Sequence, residues 1–289
     1  MPERSDLPPS DVETTGHEWD GIKEYNNPLP RWWLWTFYVT IIWSIGYWIV
    51  MPAWPLLSSY TEGLFGYTNR KSVMAEISQA QAAQGKYFER IHTASLEEIR
   101  ADRDLLEFAL AGGRSAFSVN CSQCHGSGAA GFKGYPNLND DHWLWGGTLK
   151  DIQATITHGI RSELDEKTRQ SEMPRFLADG ILKAAQVNDV AEYVLSLTNR
   201  ATDKSAADRG QKIFAEQCVV CHGAGGKGNT ELGAPRLNDP IWLYGGDKET
   251  IVATVSNSRR GVMPAWGGIL TPEIIKKLTV YVHSLGGGK

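Results

Sequence analysis

Two stretches decide the reading: GRSAFSVNCSQCH at residues 113–125 and GQKIFAEQCVVCH at residues 210–222. Each ends in Cys-x-x-Cys-His. Each also carries Gly and Phe at the same places before its first cysteine, Gly113 and Phe117 in one and Gly210 and Phe214 in the other. The likeness continues downstream in one order. NLNDDHWLWGG (137–147) is matched by RLNDPIWLYGG (236–246), Met173-Pro174 by Met263-Pro264, and AEYVLSL (191–197) by VYVHSL (280–285). Matched elements in a fixed order mean a duplicated unit of about 90 residues. The first copy holds about nine more residues than the second, around RSELDEKTRQSE.

The motif carries its own chemistry. Cys121-Ser-Gln-Cys124-His125 and Cys218-Val-Val-Cys221-His222 are C-x-x-C-H, the attachment signature of haem c. One helical turn separates the two sulfurs, so each can bond one vinyl-derived carbon of the macrocycle, and the next residue aims its imidazole at the iron. A single Cys₄ zinc site would leave both histidines idle and would not explain one pair per copy. Thioredoxin-like pairs need a βαβ context that the chain lacks. The chain has five methionines, and only Met173 and Met263 follow a cysteine motif, one per copy. They are the expected sixth ligands, and a thioether is a soft donor that favours Fe(II). Two covalent haem c groups with His/Met ligation leave no open iron position, which points to electron transfer and away from a dihaem peroxidase. The simplest pairing is His125 with Met173 and His222 with Met263. A crossed pairing uses the same residues, and the spacing does not choose between them. Trp143 and Trp242 are expected to line the crevices, and Arg161 and Arg260 are candidate partners for propionates. His142, His158 and His283 have no histidine at the matched place and read as surface or satisfied side chains.

Upstream, residues 32–51 (WWLWTFYVTIIWSIGYWIVM) carry no charge. As a helix they are about 30 Å long, the thickness of a bilayer core. Trp32, Trp33 and Trp35 at one end, and Trp48 and Trp54 at the other, suit the two interfaces, with Arg31 able to snorkel. The expected layout is a tail over 1–30, a transmembrane helix over 31–55, a helical connector over 56–105, and repeats over 106–200 and 201–289. The tail is acidic and proline-bearing and is expected to be loosely ordered. In the connector, residues 71–90 favour helix, and Ser95 with Glu98 fits a capping box opening one helix through EEIRADRDLLEFAL. Further helix starts are expected at Thr148, Asn188, Asp247 and Thr271. Attachment of haem c takes place outside the bacterial cytoplasmic membrane, so the repeats are expected in the periplasm and the N-terminus in the cytoplasm.

Composition agrees with a folded chain of about two domains. Of 289 residues, 42% are hydrophobic and 21% charged, and the net charge of −4 gives no footing for a nucleic-acid partner. Residues 106–200 hold 11 acidic and 9 basic side chains and residues 201–289 hold 8 and 11. The two repeats therefore differ in sign, and steering by them would make donor turnover salt-sensitive.

Taken together, DGIKEYNNPLPRWWLW (20–35), YPNLNDDHWLWGG (135–147) and HGIRSELDEKTRQSEMP (158–174) resemble the dihaem cytochrome c subunit of cbb3-type cytochrome c oxidases, the FixP or CcoP type. The resemblance covers nearly the whole chain. It implies a mainly α protein, with a single N-terminal transmembrane helix followed by two tandem class I cytochrome c domains. It implies a bacterial inner-membrane location, contact with membrane lipid, and electrons arriving from a soluble or membrane-bound donor cytochrome c. They would leave for the monohaem cytochrome c subunit and the haem–copper catalytic subunit of a proton-pumping oxidase. Oxygen reduction would lie in that last subunit, so the chain is expected to be no enzyme by itself. The residues alone also admit a membrane-bound dihaem carrier serving another periplasmic respiratory enzyme.

Overall fold

The computed structural model describes residues 13–286, so residues 1–12 of the expected tail lie outside the described residues. Two compact units divide between residues 83 and 84. In the first, the expectation of a loosely ordered tail fails over residues 14–25, which form an antiparallel hairpin of β1 (Thr14–Trp19) and β2 (Ile22–Tyr25). Asp20 and Gly21 form its turn with φ of 48° and 83°. Asp-Gly is the pair that two positive φ angles demand, and its twist matches that of the strands. Helix α1 (Arg31–Val50) follows, capped by Pro30, with no buried side chain. It is the one helix among the described residues long and apolar enough to cross a membrane. Its last carbonyls are not left bare. The Met51 N–H donates to Tyr47 O (2.8 Å), Leu64 to Ile49 O (3.0 Å) and Phe65 to Val50 O (3.0 Å), so the chain after the span folds back on its end.

Helix α2 (Asn69–Thr93) crosses the division between the units. After it, the predicted capping box is present: Glu98 N–H donates to Ser95 Oγ (3.2 Å) and Ser95 N–H to Glu98 (2.7 Å). The single helix expected from Ser95 is two, α3 (Leu96–Ala101) and α4 (Arg103–Asn120). Asp102 breaks it, since its carboxylate accepts from Leu105 N–H (2.9 Å) and pairs with Arg90 (2.5 Å), which holds its backbone extended. The connector's second half belongs to the larger body. Ile91, Leu96 and Ile99 are buried with Leu105, Ala109, Leu149 and Val280 in one cluster.

The remaining helices are α5 (Ser122–His125), α6 (Leu149–His158), α7 (Ala184–Ser196), α8 (Lys204–Gln217), α9 (Val219–His222), α10 (Lys248–Asn257) and α11 (Pro272–Leu285). The caps Thr148, Asp247 and Thr271 stand where expected. Helix α7 starts at Lys183 rather than Asn188, because Gln186 turns back to accept from Lys183 N–H (2.9 Å) and so closes the first turn earlier.

Helix pairing explains the Gly-x₃-Phe-x₃-Cys spacing and reveals an exchange between the repeats. Helix α4 of the first repeat packs on α11 of the second, whereas α8 of the second packs on α7 of the first. At each crossing a glycine removes the Cβ. A side chain at Gly113 would strike Lys277 O and come within 2.6 Å of Tyr281 Cβ. At Gly210 it would strike Asp189 O and lie 3.0 Å from Tyr193 Cβ. One turn on, Phe117 meets Tyr281 (centroids 5.6 Å) and Phe214 meets Tyr193 (5.0 Å). The repeats at 106–200 and 201–289 record the duplication in sequence. Within the unit over residues 84–289 the cores mix the repeats: one cluster, a contiguous body, draws on residues 173–255, and two more, a discontinuous body, join residues 87–156 to 263–285.

Candidate haem sites

The two sites are built alike. In each, the helix ending at the first cysteine (α4 or α8) passes into a single turn that presents the second cysteine and the histidine. His125 Nδ1 donates to Pro136 O (3.0 Å) and His222 Nδ1 to Pro235 O (3.0 Å). Each bond fixes the tautomer and ring direction and leaves the Nε2 lone pair for a metal. Burial pushes both imidazoles below their ordinary pKa, against a smaller opposite effect of the carbonyl, so both rings are neutral at pH 7. The loops close identically, with Gly131 N–H donating to His125 O (2.8 Å) and Gly228 N–H to His222 O (2.7 Å). Burial and the neighbouring cysteine push the Cys121 and Cys218 thiols up to about 11.

The methionines stand at the other repeat's site. Met263 packs in one cluster with Phe117, Cys121, Leu138 and Trp143. Met173 packs with Phe214, Cys218, Leu237 and Trp242. Backbone bonds enforce this at matched positions. Trp266 N–H donates to Ile156 O (3.1 Å), and Phe176 N–H to Val255 O (3.1 Å). The aromatic loops cross as well: Trp145 covers Gly233, and Tyr244 lies 3.4 Å from where a Cβ on Gly134 would stand. One continuous cavity is lined by Cys124, His125 and Met263 and by Cys221, His222 and Met173.

The residues present fit haem c. Trp143 Nε1 and Trp242 Nε1 are buried donors without a protein partner, placed to bond an acceptor on a bound group. Gly147 and Gly246 admit these indoles, since a Cβ at either would lie 2.5 Å from the ring. Of the arginines, Arg161 is engaged elsewhere: Nε donates to Gly261 O (2.8 Å) and Nη1 to Ser171 O (2.8 Å). Arg260 pairs with Glu172. His158 bonds Asp165 (2.8 Å), His142 faces Asp239 across the repeats (3.3 Å), and His283 is buried.

Ile160 and the additional residues that follow it fasten the Met263 segment to the first copy. Ile160 exchanges both backbone bonds with Met263 (3.0 Å each), Arg161 N–H donates to Arg169 O (2.9 Å), and Ala265 N–H to Ser162 Oγ (3.1 Å). Arg169 donates to Trp145 O and reaches Asp151 (3.4 Å). Ser162 and Arg169 hold the loop that brings Met263 to the first copy's motif, a role that sequence reasoning missed. Their one signal was their place inside the insertion.

Fold, span and donor sets define a membrane-anchored, mainly helical electron carrier with two cytochrome c domains that bind haem c. Residues 11–58 match the family described as the N-terminal domain of cytochrome oxidase-cbb3, FixP. Residues 110–198 match cytochrome c, and residues 205–282 match cytochrome c oxidase, cbb3-type, subunit III. The chain is 56% identical over 277 residues to the cbb3-type cytochrome c oxidase subunit FixP of Azorhizobium caulinodans, covering 96% of this chain and 94% of that one. It is 50% identical over 281 residues to the subunit CcoP of Cereibacter sphaeroides, covering 97% of each. The chain belongs to the FixP/CcoP family of cbb3-type oxidase subunits, and so associates with other subunits of such an oxidase.

Proposed function

We propose that this chain is the electron-entry subunit of its oxidase and carries two haem c groups with crossed axial ligation. One is held by Cys121, Cys124 and His125 with Met263 as sixth ligand. The other is held by Cys218, Cys221 and His222 with Met173. The reciprocal docking of the methionine segments on α6 and α10 carries this reading. Haem c, when bound, supplies a one-electron iron couple. The paired thiols would tether it, and the neutral imidazoles and the thioethers would be its iron's ligands. With a histidine and a methionine held for each haem, the chain would offer no open iron to a substrate. It relays electrons from a donor cytochrome c to the monohaem cytochrome c subunit and on to the haem–copper subunit, where oxygen is reduced. The repeats face the periplasm and the N-terminus the cytoplasm.

Purification in mild detergent through a tag at Lys289 tests the assignment. Co-purifying high-spin haem b, copper and a second haem c subunit, with cyanide-sensitive oxygen uptake, are expected. Low-spin haem c alone would overturn it. For the pairing, Cys124→Ser leaves one vinyl conjugated with the first ring and so red-shifts that haem's visible band as a tag. Adding Met263→His should lower the potential of the tagged band. Movement of the untagged band would refute crossed ligation.

A further inference from the structure

The two methionine loops are not independent. Ser171 and Gly261 each lie two residues before a methionine, and their carbonyls are bonded by the same guanidinium. Arg161 Nη1 reaches Ser171 O and Nε reaches Gly261 O, both at 2.8 Å. A planar fork with fixed donor directions can hold two acceptors in register, which a lysine cannot. The residue that supplies it sits in an unfavourable backbone state, with φ 52°. A non-glycine residue persists there only where its surroundings fix it. The Arg161 N–H bond to Arg169 O and the two bonds of neighbouring Ile160 to Met263 do so. The matched residue in the second copy, Arg260, has no such role, since it pairs with the exposed Glu172 side chain. Arg161 also lines the cavity shared by both sites.

The geometry points to Arg161 as a single positioning residue for both axial methionines, through the loop carbonyls that precede Met173 and Met263. This rests on the crossed His/Met reading above. Loosening the fork loosens both sulfurs together, and both sites then lose the stabilisation of Fe(II) that a thioether gives.

The test uses the full chain in its detergent-solubilised complex. Two readouts serve, the weak far-red absorption of sulfur-to-iron(III) ligation and the two midpoint potentials from a spectroelectrochemical titration. Arg161→Lys keeps the charge and loses the fork. Arg161→Gly suits the positive φ and removes the clamp without straining the backbone, and added guanidinium ion should partly restore its signal. The expected result for both variants is loss of more than half the far-red band and a joint fall of both potentials, with haem content unchanged. Each site's reduction equilibrium should shift about tenfold, which is about 59 mV for one electron. An unchanged band, or a change confined to one haem, overturns the proposal. Loss of haem from both variants overturns it too, since Arg161 would then be needed for assembly rather than for ligand position. Met173→His and Met263→His separate this from the underlying reading. If each removes part of the band while the Arg161 variants do not, only the role of Arg161 fails. If neither does, the ligation itself fails.

Discussion

Glu192 is fully buried in α7 and accepts four hydrogen bonds: from Thr202 N–H (2.8 Å), Thr202 Oγ1 (2.7 Å), Asp203 N–H (3.2 Å) and Lys248 Nζ (2.7 Å). It joins α7, the turn into α8 and the first turn of α10, so it ties the contiguous body at three points. Its counterpart in the second repeat is Val280, also buried, so Glu192→Val keeps an accepted shape and deletes the acceptor. The variant strands two N–H groups, a hydroxyl and a lysine that is partly exposed. Removing one partner from a buried ionic network costs about 3–5 kcal/mol. Glu192 belongs to the compact unit over residues 84–289, a size at which each kcal/mol moves Tm by roughly 2–4 °C, so a fall of about 10 °C is expected. Burial alone would raise the Glu192 pKa. The bonds from Lys248, Thr202 and Asp203 outweigh it and hold the carboxyl at about 2, below its ordinary 4.5. A depressed acid contributes in full above its unfolded value and loses that contribution as pH falls through its folded one. The gap between wild type and variant should therefore narrow from pH 4.5 toward 2. Calorimetric scans at one rate across that range check both statements. A gap below about 2 °C at neutral pH, or one that stays constant on acidification, refutes the reasoning.

Other consequences are as specific. Gly210→Ala gains about 1 kcal/mol of helix propensity but drives a methyl into the Asp189 backbone, an overpacking cost of about 1–3 kcal/mol or more. A lowered Tm is expected, whereas Gly85→Ala in α2, with open space around it, should be neutral or stabilising in the same scans. Ser258→Gly should stabilise by about 1 kcal/mol, since Ser258 holds φ 55° with a buried hydroxyl lacking a partner; a raised Tm or urea midpoint checks it. Thr148→Ala and Asp247→Ala each remove a cap that accepts from the third residue on (3.1 and 2.8 Å). Each should cost about 1 kcal/mol by urea denaturation.

Much of this molecule is readable from local chemistry, because the duplication shows each signal twice. The cysteines and histidines, the span, and the caps Thr148, Asp247 and Thr271 follow from residue type and short spacing. The glycine and phenylalanine before each motif showed the duplication, but their spacing does not name the helix that packs on them. That partner could not be read, because the copies are alike: Tyr193 and Tyr281, or Phe176 and Trp266, suit either surface. The choice is made by the chain's route through 159–172, where Ile160 and Arg161 engage backbone a hundred residues away. Asp102 ended a helix that its neighbours favour, because its side chain competes for a backbone donor. The hairpin at 14–25 was legible in Asp20-Gly21 but was masked by the acidic, proline-bearing composition around it.

The exchange of segments also sets an order of assembly. The contiguous body is complete once residue 257 has emerged, since all that it packs lies between 173 and 257. The discontinuous body begins earlier in the chain yet waits for α11, its last helix, to cover Gly113 and Phe117. A chain made from its N-terminus to its C-terminus therefore finishes its second site before its first. Loss of the final helix would unmake the site farthest from it in sequence, and neither repeat can be cut out at its sequence boundary as a module.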